Sequence, residues 1–154
     1  MIELIPLKLQ YCEEVADIAK ENLPEAWSLS GIQDVLQYDD NIYYVAKQTD
    51  KGEIVGFAGI MLIVDEAELL NIAVRKDYQG QGIGQLLLEK VIEEGQARGA
   101  GRMLLEVRRS NIPAIKLYYK NLFSVLGERK NYYSNPTEDA IILEKKLNKT
   151  NNSI

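Results

Sequence analysis

Between Gly82 and Ala100 the apolar residues Ile83, Leu86, Leu87, Val91 and Ile92 recur at helical spacing, with Glu89, Glu93 and Glu94 falling among them. The segment therefore predicts an amphipathic helix, and Gly99 and Gly101 mark its end. Just before it, Leu69-Leu70-Asn71-Ile72-Ala73-Val74 forms a nearly continuous apolar run, the pattern of a central strand covered on both faces. Just after it, residues 103–107 predict the next strand, parallel to the first because a helix connects the two. Toward the N-terminus, Ile2, Leu4, Leu7 and Leu9 alternate imperfectly around Pro6, which suits a short edge strand. Val15, Ile18 and Ala19 predict a helix from Cys12 to Asn22 that Pro24 stops, and Ser28 or Ser30 can cap a second helix reaching about Tyr38. Residues 42–46 and 54–64 read as strands joined through Asp50-Lys51-Gly52, a hairpin turn. A further helix begins at Ser110 or Asn111, with Pro113 in its first turn, and two strands at 125–129 and 140–147 close the chain. The order predicts a single-domain α/β sandwich over residues 1–147, on a mixed, mostly antiparallel sheet with a parallel pair at its middle. Residues 148–154 lack apolar content and read as a disordered tail.

Composition narrows the chemistry. With 154 residues, 46% of them hydrophobic and 27% charged, the chain can build one core without staples. Cys12 is the only cysteine, so no internal disulfide can form and a cytoplasmic location is expected. The chain has no histidine. That removes Ser-His-Asp and Cys-His nucleophile systems and histidine zinc sites, leaving carboxylates, tyrosine, lysine or water for proton transfer. No metal site is expected. A formal charge of -5 argues against direct nucleic-acid binding and suits a basic or amine-bearing partner. No run approaches the ~18 apolar residues that span a membrane, and none is expected as a partner.

The segment Tyr78-Gln79-Gly80-Gln81-Gly82-Ile83-Gly84-Gln85 leaves the predicted central strand and enters the best helix. Closely spaced glycines let the backbone approach a ligand, and free amides at a helix N-terminus favour phosphate. A turn that only reverses the chain would use similar letters. A dinucleotide fingerprint from Gly80 would need glycine where Gln85 stands, and no Gly-Lys-Ser/Thr is present. Glu106 lies in an otherwise apolar strand, which suits a general base. It could equally alternate outward or pair with Arg108. Tyr118 can donate a proton or serve as a core aromatic beside Ile115 and Leu117, and Tyr119 should then face away. Asn111 can cap its helix.

Gln79-x-x-Gly82-x-Gly84 after a central strand resembles the loop by which GNAT (Gcn5-related) N-acetyltransferases hold the pyrophosphate of acetyl-CoA. The likeness extends over about residues 24–147. Asn71-Ile72-Ala73-Val74, Leu105-Glu106-Val107-Arg108, Ser110-Asn111, Ala114-Ile115-x-Leu117-Tyr118, Arg129-Lys130-Asn131-Tyr132-Tyr133, Glu138-Asp139-Ala140 and the early Trp27-Ser28 are similar to the RimI-type ribosomal-protein-alanine N-acetyltransferases. The resemblance implies acetyl-CoA as co-substrate, without a metal. It also implies direct transfer in a ternary complex to the N-terminal amine of a small-subunit ribosomal protein. Glu106 would be the base and Tyr118 the acid. Ile72, Ala73, Val74, Gly80, Gln81, Gly82, Ile83, Gly84, Gln85 and Asn111 would bind cofactor, and Trp27, Tyr132 and Tyr133 would line the acceptor groove. The alternatives are a GNAT acting on a small amine or a lysine side chain, or a non-catalytic CoA-binding module. Two departures stand out: Leu122 replaces the family's glycine after the Tyr118 helix, and residues 79–85 contain no basic side chain. Arg75 or Lys76 could supply the missing charge.

Overall fold

The computed structural model describes residues 1–22 and 28–148. Pro24 and Trp27 lie outside the described residues, as do residues 149–154 of the expected tail. Seven strands form one sheet: β1 (Ile2–Pro6), β2 (Asn41–Gln48), β3 (Glu53–Ile63), β4 (Glu66–Val74), β5 (Arg102–Arg108), β6 (Ser124–Tyr133) and β7 (Glu138–Lys146). Their order is β1-β2-β3-β4-β5-β7-β6, antiparallel throughout except for the parallel β4-β5 pair. Four α-helices cover it: α1 (Cys12–Asn22), α2 (Leu29–Val35), α3 (Ile83–Ala97) and α4 (Ile112–Lys120). The Ser28 hydroxyl caps α2 by accepting from the Gly31 N–H, and β1 takes the edge position that Pro6 allows. No helix among the described residues is long and apolar enough to cross a membrane.

The sheet is packed on both faces. Leu87, Leu88 and Val91 of α3 and Ile115 of α4 meet Val55, Ala58, Ile60 and Leu105 on one side. On the other, Val15, Ile18 and Ala19 of α1 and Ile32 of α2 bury Val45, Ile54 and Phe57. These side chains are removed almost completely from water, and each full burial of a large aliphatic or aromatic contributes about 1.5–3 kcal/mol.

Two local features shape the middle of the sheet. Gly59 pairs with Asn71 and Ile60 with Leu69, so Leu70 is an extra residue in β4. Such a bulge bends its strand and sharpens its twist. At Gly59 a β-carbon would stand 2.0 Å from the Tyr43 ring, so only glycine lets that ring cross β3. The Tyr43 hydroxyl then donates to Asn71 Oδ1 at 2.7 Å, beside the bulge. The consequence appears in β4-β5. Pairing runs only from Glu66-Arg102 to Glu68-Leu104, although β4 continues to Val74 and β5 to Arg108. Beyond Glu68 the two strands are no longer paired, which opens the centre of the sheet.

Candidate active site

A cavity of about 680 Å³ is lined by Ile72, Ala73 and Val74 from the end of β4 and by Gly80, Gly82, Ile83, Gly84 and Gln85 from the loop and the first turn of α3. Asn111, Pro113, Ala114, Leu117, Tyr118 and Lys120 line it from α4 and the residue preceding it, with Asn22, Tyr78 and Gln79 completing the wall. The volume suits a medium-sized ligand.

The loop is built to present backbone. Gly80 and Gly82 have φ of 80° and 84°, in the left-handed region open to glycine at little cost. Leu86 N–H makes the first bond of α3, to the Gly82 carbonyl, so the amides of Ile83, Gly84 and Gln85 precede any intrahelical acceptor. Together with the helix dipole they form an anion-binding end. Gln79 Nε2 anchors the loop by donating to the Val74 carbonyl at 3.0 Å and to Asn22 Oδ1 at 2.9 Å. The Gln85 side chain exchanges hydrogen bonds of 2.8 Å with Asn121, tying the start of α3 to the end of α4.

Asn111 Oδ1 caps α4 by accepting from the Ala114 N–H at 3.3 Å, while the residue also lines the cavity. Tyr118 is only 5% exposed and packs against Phe123, whereas Tyr119 is 47% exposed and turns outward. Burial, with a smaller contribution from Tyr133, pushes the Tyr118 hydroxyl well above the ordinary phenol range. It stays protonated at neutral pH and can supply a proton.

Alternation along β5 sends Met103, Leu105 and Val107 into the core and leaves Glu106 on the opposite face. Its Oε2 is buried and accepts no hydrogen bond among the described residues. Arg129 Nε of β6 approaches that oxygen at 3.4 Å as an ion pair. Arg108 is not its partner. That guanidinium donates to Glu138 Oε1 at 3.2 Å and to the Ser134 and Pro136 carbonyls, and it lies 4.5 Å over the Tyr133 ring. The charge of Glu106, then partial burial, raises the Tyr132 hydroxyl above its ordinary range, which puts that ring near the carboxylate.

Nine sequence-derived cofactor candidates thus line one cavity with Tyr118, namely Ile72, Ala73, Val74, Gly80, Gly82, Ile83, Gly84, Gln85 and Asn111. Gln81 is exposed in the loop and does not line it. Glu106, Tyr132 and Tyr133 lie outside that lining, and Trp27 is outside the described residues. Arg75 does not serve the loop: its Nε donates to the Ile54 carbonyl at 2.8 Å and its guanidinium faces Glu53. The sequence reading missed Lys120, the one charged side chain of the cavity lining among the described residues. The signal was available, since Lys120 follows Tyr118 by two positions and closes the last turn of α4.

A mixed sheet that parts at its parallel pair beside an anion-binding helix terminus, with a buried tyrosine in the same cavity, defines an α/β acyl-transfer enzyme. The chain belongs to the acetyltransferase (GNAT) family, whose family model matches residues 12–122, and it is an N-acetyltransferase. It is 35% identical over 141 residues to the [ribosomal protein bS18]-alanine N-acetyltransferase of Salmonella typhimurium, covering 84% of this chain and 94% of that one. The protein of that name from Escherichia coli (strain K12) is 46% identical over 97 residues, 62% of this chain and 66% of its own length. The crystal structure of the ribosomal-protein-S18-alanine N-acetyltransferase from Escherichia coli superposes with a TM-score of 0.88 at 33% identity, covering 100% of this chain and 99% of that one.

Proposed function

We propose that this protein is an acetyl-CoA-dependent Nα-acetyltransferase whose acceptor is the N-terminal alanine of a small-subunit ribosomal protein of the bS18 kind. The observation that carries the reading is the parting of β4 and β5 beyond Glu68 and Leu104. The unpaired ends of the two strands lie between the glycine-lined cavity with Tyr118 on one side and Glu106 on the opposite sheet face. The names of the relatives supply the acceptor, and a basic ribosomal protein is a suitable partner for a chain of formal charge -5.

The residues of the cavity fit the co-substrate. The amides of residues 83–85 meet the pyrophosphate, and Lys120 supplies the positive charge that the loop lacks. Ile72, Ala73 and Val74 hold the pantetheine arm along the free end of β4, where a backbone N–H polarises the carbonyl. Acetyl-CoA brings the thioester, an acyl group on a good leaving group. An α-amine with pKa near ~8 is far easier to deprotonate than a lysine near ~10.4. Glu106 takes its excess proton through a water, and Tyr118 protects and protonates the departing sulfur. Tyr132 and Tyr133 border the acceptor's path. Transfer is direct. Cys12 is buried at the start of α1 with its thiol donating toward the Lys8 carbonyl, and burial raises its pKa, so it is no acyl carrier.

The test is incubation with acetyl-CoA and two basic peptides, one with a free N-terminal alanine and one blocked there but carrying a lysine. Mass spectrometry should locate acetyl on the alanine amine alone. Acetyl on lysine alone would replace this acceptor with a side chain.

A further inference from the structure

The acceptor face carries a second carboxylate. Ala67 and Leu69 of β4 point into the α3 side of the core, so Glu68 between them projects to the same face as Glu106. Its register neighbour in β5 is Leu104, the last paired rung, and Glu106 follows two residues later on that face. Arg129 and Tyr132 reach the same place from β6. We infer that Glu68 is a positioning residue for acetyl transfer, acting through Glu106 to keep one net negative charge facing the acceptor's ammonium.

Glu106 and Arg129 alone form a neutral pair, with the guanidinium 3.4 Å from the carboxylate. A neutral pair has little field to draw an ammonium or hold its proton. Arg108, on the same face of β5, is balanced by Glu138 at 3.2 Å, so adding Glu68 leaves two negative groups against one positive, which matches one incoming ammonium. Glu106 Oε2 is buried, with Arg129 Nε 3.4 Å away outside hydrogen-bond geometry and the Tyr132 hydroxyl beside the same carboxylate. Burial raises the pKa of Glu68 first, Glu106 raises it further and Arg129 opposes the rise, so the three groups share one local field. Around Glu68 also stand Tyr132 of β6, whose hydroxyl responds to it, and the uncharged Met61 opposite it in β3. The step balances without another reactant. An N–H bond of the ammonium breaks, an O–H bond forms on Glu106 by relay through the water, and the electron pair stays on nitrogen for attack.

This inference rests on the reading of Glu106 as proton acceptor, and charge arithmetic tests it. Initial rates on the alanine peptide are measured across pH for wild type, E68Q, R129Q and E68Q/R129Q, with the KM for acetyl-CoA followed alongside. E68Q neutralises the cluster and should lower kcat/KM for peptide about ten-fold. It should also move the acidic limb of the pH profile to lower pH, leaving the KM for acetyl-CoA unchanged. R129Q should move that limb to higher pH. The double variant restores a net charge of minus one and should recover most of the rate, which a merely structural Glu68 would not allow. An E68Q enzyme with wild-type rate and profile, or a double variant no better than E68Q, overturns the inference while the acceptor reading stands. A wild type that transfers to no peptide amine overturns that reading and this inference with it.

Discussion

The α4 helix that carries Tyr118 ends without glycine. Asn121 is its C-cap, and Leu122 follows with φ of 70°. The Leu122 N–H donates to the Tyr119 carbonyl and the Phe123 N–H to the Tyr118 carbonyl, both at 3.0 Å. This pair of bonds closes a helix on a left-handed residue, usually glycine. For any other L-residue that conformation brings Cβ against the following carbonyl and costs roughly 1–2 kcal/mol. The Leu122 side chain is 77% exposed, so little packing offsets the strain. Comparing L122G with L122A isolates the backbone effect, because both remove the same leucine contacts. In a helix interior alanine is better by roughly 0.5–1 kcal/mol. At position 122 the order should invert: relief of strain exceeds glycine's extra freedom in the unfolded chain by about 1 kcal/mol. For a chain of this length that is roughly 2–4 °C in Tm. Urea unfolding and scanning calorimetry of the two variants measure it. An alanine variant as stable as the glycine variant, or more so, would refute the reasoning.

Three further outcomes follow from the site. Tyr118→Phe should lower kcat about 100-fold while acetyl-CoA binding is retained, since the ring still packs on Phe123 and only the proton donor is lost; single-turnover rates with calorimetric binding check it. Lys120→Ala should weaken acetyl-CoA roughly five-fold and flatten the salt dependence of binding, without changing the affinity of pantetheine, which lacks phosphate. The Ser110 hydrogen bonds and Arg108 hold the Glu138 carboxyl below its ordinary range. That stability is present above the ordinary carboxylate pKa of about 4.3 and lost as pH falls through the depressed value, so Tm should drop in acid. Glu138→Gln should flatten that drop in a melting series from about pH 5 to pH 2.

What could be read from the chain alone follows from which interactions are local. The span of α1, the start of α3 after Gly82 and the Asn111 cap are set by residues within one or two turns, and the sequence pattern found them. The place of β7 between β5 and β6 depends on pairing across the sheet, and nothing in either strand encodes that order. The bulge at Leu70 was hidden for a similar reason: it is a mismatch between β3 and β4 that Gly59 and Tyr43 impose together. Glycines and aromatics declared the cavity. Lys120 did not stand out, because a lysine in the last turn of a helix ordinarily faces water. Glu68 was passed over likewise, as a polar residue in an alternating strand, and Arg129 gave no sign of reaching Glu106 from two strands away.

The central claim is that the parted β4-β5 pair lets Glu106 activate an amine while the co-substrate is held in the cavity with Tyr118. The most direct measurement pairs acetyl-CoA affinity with the rate of acetyl transfer to an alanine-start peptide, in wild type and Glu106→Gln. The account predicts unchanged affinity and a fall in kcat/KM of about 100- to 1,000-fold, the worth of a positioned general base. Wild-type turnover in the glutamine variant, or loss of acetyl-CoA binding with it, would contradict the account.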